Sequence, residues 1–152
     1  MITINVVAVG NLKEKFSVDA EKEYLKRLSA FCKIKVVETK EFNELKNIEL
    51  IKEREGEEIL KHLSNFSILL DVQGEAFSSE DFAKRLEKIS LNHSTITFVI
   101  GGSYGVSEKV KNACQQKISF SKMTFPHNLF RIMLLEQIYR AFTIMSGKSY
   151  HK

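Results

Sequence analysis

The run Ile2–Val9, ITINVVAV, carries apolar, mostly β-branched residues on both sides of the pleat. Such a strand has no face for water, so it belongs inside a sheet covered on both sides, in practice a parallel one. KIKVVET (33–39), FSILLDV (66–72) and TITFVI (95–100) repeat the pattern, and KISF (117–120) is a shorter version. Between them lie segments of helical period. The first covers about 18–31, with Ser17 as its cap and Ala20, Tyr24, Leu28 and Phe31 along one face. The second covers 44–63, with Leu45, Ile48, Ile51, Ile59 and Leu63 inward and Gly56 as a potential break. Gln73-Gly74 reads as a turn, and Ser78 with Asp81 as a capping box for a helix over 79–89. Ser107 caps a short helix to about Ala113, and a long helix runs over about 128–146 to Gly147. Strand and helix alternate throughout, which predicts an α/β fold with a mostly parallel sheet and helices on both faces. At 152 residues the whole chain, 1–152, reads as one domain.

Two cysteines far apart, Cys32 and Cys114, and four scattered histidines form no ligand spacing, so no metal site is expected and the thiols read as buried and free. The N-terminus has no basic stretch ahead of an apolar run, and no segment approaches a membrane span, so a cytoplasmic protein without a membrane partner is expected. The net charge of +4 is uneven. From Lys117 onward there are six basic residues (Lys117, Lys122, Arg131, Arg140, Lys148 and Lys152) against the single acid Glu136. That asymmetry fits a polyanionic partner such as RNA, and equally a solvated basic surface.

Open α/β sheets bind ligands at the carboxyl ends of their strands. Gly10 stands alone after the first strand, which does not make a dinucleotide fingerprint. The glycines gather after the fourth strand instead, as Gly101, Gly102 and Gly105, where they serve either a tight turn or close approach of a ligand to main-chain N–H groups. Ser121–Pro126 leaves the fifth strand and Leu70-Asp71-Val72 ends the third. Three loops on one rim suit a flat heterocycle and a thioether held by amides and apolar side chains. Pro126, the only proline, disfavours helix at Phe125 and so keeps the amides before it out of the last helix. That helix is apolar nearly all round, with Glu136, Gln137, Arg140 and Thr143 as one narrow polar stripe. It is either a central core helix or the seam with a second copy.

VIGGSYG, SFSKMTFPHNLFR, EQIYRAF and the terminal YHK, in this order, resemble the RlmH family of SPOUT methyltransferases, and the similarity extends from VVAVGNLKEKF through REGEEIL and LDVQG to the last residue. The resemblance implies S-adenosyl-L-methionine-dependent methylation of N3 of a pseudouridine in 23S ribosomal RNA, with the ribosome as partner. It also implies a C-terminal trefoil knot, which general topology rules disfavour, and a homodimer packed through the last helix. Carried over by position, the cofactor contacts are Leu70, Gly101, Phe120, Ser121, Lys122, Met123, Thr124 and Phe125, with Phe120 standing where relatives often have Leu. Removal of the imide proton needs a helper, for which Tyr150, His151 and His127 are candidates. His127, Arg131 and Lys152 are expected on the RNA, with Arg131 or Lys152 steadying the anion. Two other readings stay open: a Rossmann-like enzyme acting on a small molecule, with Glu38 gripping a ribose, and a non-catalytic ribosome-binding module.

Overall fold

A computed structural model describes residues 1–152. The strands are β1 (Thr3–Val9), β2 (Lys33–Thr39), β3 (Ser67–Ala76), β4 (Thr95–Ile100) and β5 (Gln116–Ser119). The helices are α1 (Lys15–Leu28), α2 (Ile48–Leu60), α3 (Ser79–Ser90), α4 (Glu108–Ala113) and α5 (His127–Met145). All strands pair in parallel, in the order β2-β1-β4-β3-β5. The double-sided pattern of β1 divides the core as expected. Ile4, Val6 and Ala8 join the layer beneath α1, α3 and α5, with Leu28, Phe82, Leu86 and Leu134. Val7 and Val9 face α2 and α4, with Ile59, Val110 and Cys114. Both cysteines are buried and free, and burial pushes the Cys32 thiol up to about 12.

Several expected details differ. Ser17 does not cap α1; the helix starts three residues earlier, at Lys15 behind Glu14, whose carbonyl takes the N–H groups of Ser17 and Val18, and Ser17 is buried in the first turn. α2 begins only at Ile48, because the Asn47 side chain accepts from Leu50 N at 3.1 Å. Gly56 does not break it. A β-carbon there would stand 2.7 Å from Ser107 Oγ, so the glycine lets α2 lie directly against the start of α4. Gln73-Gly74 does not end β3 either. Leu70 and Glu75 both pair with Ile118, so the residues between them bulge from a longer strand. Ser78 and Ser107 cap as expected, on the N–H groups of Asp81 and Val110.

α5 packs between α1 and α3 over the sheet. Leu134, Leu135 and Ile138 are fully buried within the single chain, so the core-helix alternative accounts for most of its apolar circumference. Leu129, 45% exposed, with half-buried Ile132 and Met133, is what remains uncovered near its start. No helix is long and apolar enough to cross a membrane.

Candidate active site

The bulged part of β3 and the carboxyl ends of β4 and β5 form a cavity of about 310 Å³. Each predicted segment supplies part of its wall: Leu70, Asp71 and Val72 at the bulge within β3, Gly101, Gly102 and Tyr104 after β4, and Phe120, Ser121, Met123, Thr124 and Phe125 after β5. Of the eight predicted cofactor contacts only Lys122 is outside the wall; it is exposed. His127 and Phe130, on the first turn of α5, close one side.

Local chemistry shapes the β5 loop. The Ser121 hydroxyl accepts from Met123 N at 3.0 Å, and Ser119 Oγ donates to the Ser121 carbonyl at 3.0 Å, which folds the loop on itself. Phe120 and Phe125 bracket Phe130 with ring centroids 5.0 and 6.2 Å away. The carbonyl of Pro126 then accepts the first helical bond, from Phe130 N at 2.9 Å. The N–H groups of Lys122, Thr124 and Phe125 donate to no protein acceptor, so the proline leaves a set of amides for a ligand. Across the cavity a β-carbon on Gly101 would lie 2.6 Å from Val106 Cγ1, so the glycine loop is packed to its limit.

A profile described as "Predicted SPOUT methyltransferase" matches residues 2–151. The chain belongs to the SPOUT methyltransferase family. It is 50% identical over 99% of its length to a Clostridium botulinum (strain Okra) protein named ribosomal RNA large subunit methyltransferase H, all of which is covered. A Clostridium acetobutylicum protein of the same name is 46% identical over 99% of this chain and 100% of its own. In fold the chain is similar to a tRNA methyltransferase from Aquifex aeolicus, with TM-score 0.56 and 12% identity over 90% of this chain and 69% of that one. A probable methylase family protein from Haemophilus influenzae gives TM-score 0.55 and 14% identity, over 98% of this chain and 70% of its own.

For a SPOUT chain expected to meet RNA, the fate of the basic residues is informative. Arg131 is 1% exposed. Its Nη1 donates to Glu38 at 2.8 Å and Glu21 at 3.1 Å, and Nη2 donates to the Gly10 carbonyl at 3.2 Å. An RNA contact by Arg131 is therefore at odds with its placement: the side chain ties the start of α5 to β1, β2 and α1. The same bonds occupy Glu38, which also accepts from Leu12 N, and remove it from the role of ribose ligand. Arg140 is likewise held, by Glu136 at 2.8 Å and over the Tyr150 ring. Of the six C-terminal bases the four lysines stay outside carboxylate pairs.

Tyr150 and His151 are not at the cavity. Tyr150 donates to Glu136 Oε2 at 2.7 Å and meets Tyr139 edge-on at 4.9 Å. Glu136 lies nine residues beyond His127, about 14 Å along a helix. Burial first, then the bond to Glu136, push the Tyr150 phenol up to about 12. Arg140 Nη1 lies 3.0 Å from His151 Nδ1, and Glu80 Oε1 lies 2.6 Å from Nε2. Arginine only donates, which assigns the lone pair to Nδ1 and the proton to Nε2. His151 so held has no free lone pair for an imide proton. Lys152 is exposed.

The residue that the sequence reading passed over is Glu55. It is 1% exposed; Oε2 accepts from Phe42 N at 3.0 Å and Oε1 has no partner. Burial raises its carboxyl above the usual range. It sits behind Gly102, where a β-carbon would stand 2.7 Å from Oε1. Its only sequence signal was a glutamate on the inward face of α2, adjacent to the buried Gly56. His127 Nε2 lies 3.6 Å from Glu41 nearby.

Proposed function

We propose that the chain transfers a methyl group from S-adenosyl-L-methionine to N3 of a pseudouridine in 23S ribosomal RNA, on the assembled ribosome in the cytoplasm. It works as a homodimer whose C-terminal part is tied in a trefoil knot. The observation that carries this reading is the three-loop cavity with its free amides, in a SPOUT chain half identical to large-subunit rRNA methyltransferases over its whole length. The residues fit the cofactor. The free amides of Thr124 and Phe125 offer donors to an adenine edge, Leu70 and Phe120 offer apolar walls, and Gly101 has no room for a side chain. When bound, the cofactor supplies a methyl group on a sulfonium, which an in-line attack can take. The chain's own part is alignment and exclusion of water. His127 is the one predicted helper within the cavity wall, and Glu41 beside it steadies the imidazolium that would form on taking the imide proton. Tyr150, His151 and Lys152 serve the RNA as an aromatic and basic tail, not as the base. Support for the knot is the match of residues 2–151 to the SPOUT methyltransferase family, whose resemblance implied it. Support for the dimer is the uncovered apolar pair Leu129 and Ile132 at the start of α5.

The test is tritium-methyl transfer to ribosomes that lack the modification, run beside free nucleosides, with cofactor binding followed by calorimetry. Label in 23S RNA alone is expected. Label in a nucleoside alone would replace this reading with a small-molecule enzyme, and cofactor binding without transfer to either would end the proposal.

A further inference from the structure

A second cavity, of about 400 Å³, lies beside the first. Ser119 and Phe120 belong to both walls. The two are also linked along α5: His127 and Phe130 face the first, and Met133 and Gln137 the second. Those positions are spaced to share one face of a helix. We infer that this second cavity is a subsite for an unstacked nucleobase of the RNA substrate, next in sequence to the methylated one. The inference rests on the rRNA methyltransferase reading above.

Three features of the cavity point to a base. Its walls are flat and soft: Phe77, Phe82, Phe120 and Met133. Aromatic faces of this kind take bases of any sequence by stacking. The Arg85 guanidinium lies over the Phe77 ring, 4.6 Å from its centroid, and 3.7 Å from Glu75 Oε2, so a phosphate passing this side would meet a cation shared with one exposed carboxylate. The polar edge is oriented. Gln137 Oε1 accepts from Ser79 Oγ at 2.7 Å, and Nε2 donates to Glu136 at 2.8 Å. An amide carries two donors and two lone pairs. One N–H and one lone pair are therefore left to meet the polar atoms of a heterocycle. Glu136 also receives the Tyr150 hydroxyl, which ties the tail to one residue of this wall. The occupant is a neighbour and not the methyl acceptor, because Phe120 and Ser119 stand between it and the cofactor cavity. In-line transfer needs reacting atoms about 3–3.5 Å apart, which an intervening ring forbids.

Met133→Trp fills the cavity and Gln137→Leu blanks its polar edge. Each is expected to raise KM for the ribosome by about 10-fold or more, the size of one lost base stack. The value of kcat at saturating ribosome and the calorimetric Kd for S-adenosyl-L-methionine should stay within about twofold, since neither residue lines the cofactor cavity. A matching RNA arm removes, one at a time, the bases flanking the pseudouridine. Removing the bound base should cost the wild type as much as Met133→Trp does and cost that variant nothing more. Additive losses, or an unchanged KM in a folded Met133→Trp protein, would overturn the subsite. The methyl resonance of Met133 in wild-type protein gives a reading independent of either variant's folding. It should shift on adding a stem-loop RNA bearing the flanking base and not on adding the abasic form; equal behaviour in both sinks the proposal. Wild-type protein that methylates no RNA would refute the parent reading instead, a result separate from that shift.

Discussion

The two ends of α5 each hold an arginine against carboxylates, and the two sites are not equivalent. Arg131 is sealed at the first turn and bonded to Glu21, Glu38 and the Gly10 carbonyl, groups from three other elements. Arg140, nine residues later, is paired with Glu136 on its own helix and covered by Tyr150, with a quarter of its side chain in water. The first network spans about a hundred residues of sequence and fixes where the helix begins, hence where the cofactor loop must end. The second is local and holds a tail. The same residue type is a structural tie at one end and a surface organiser at the other, and burial makes the difference.

The sharpest way to break the comparison is Arg131→Met. Removing one partner of a buried pair costs about 3–5 kcal/mol. The lower end is expected, because Glu21 and Glu38 keep 18% and 42% of their side-chain exposure and regain water. A loss of about 3 kcal/mol lowers Tm by roughly 6–12 °C in a chain of this size, and cofactor affinity should weaken with it because the exit at Pro126 loosens. A calorimetric scan that moves by less than 2 °C would show that the network does not organise the helix start.

Deleting Tyr150, His151 and Lys152 should cost less, about 1 kcal/mol for the hydroxyl bond and the ring contact with Tyr139. Cofactor affinity should hold while ribosome methylation falls sharply. Full methylation by the truncated chain would remove the tail from function.

Glu55 sharpens the comparison as a buried charge bonded to no cation. The folded chain binds its proton more tightly than the unfolded chain does. The stability this proton contributes is therefore complete below the ordinary glutamate range and is lost as pH rises through the raised value. Urea midpoints of the wild type should fall over that window, and Glu55→Gln should flatten the fall. An identical pH slope in the variant would mean that Glu55 titrates as an ordinary carboxyl. The smallest effect belongs to Lys15–Asp19, an exposed i,i+4 pair at 2.9 Å. Lys15→Ala should change stability by less than about 0.5 kcal/mol, within the scatter of repeated urea titrations.

The sequence by itself determined the order of elements and the parallel sheet, and the family resemblance named eight positions of which seven line one cavity. The strands are apolar on both faces, so local pattern was enough for the sheet, while the loop positions were implied by the family resemblance, which rests on continuous stretches such as the one around the only proline. The family was legible for the same reason: SFSKMTFPHNLFR and the YHK terminus are contiguous words. Only the tertiary structure decided what the charges do. Nothing near Arg131 in sequence announces Glu21 or Glu38, and nothing near Glu55 announces Gly102. Opposite charges from distant elements meet only after the sheet has brought β1, β2 and the start of α5 together. The energy of a charge depends on that distance and on how much water remains, and neither quantity is written in the order of residues.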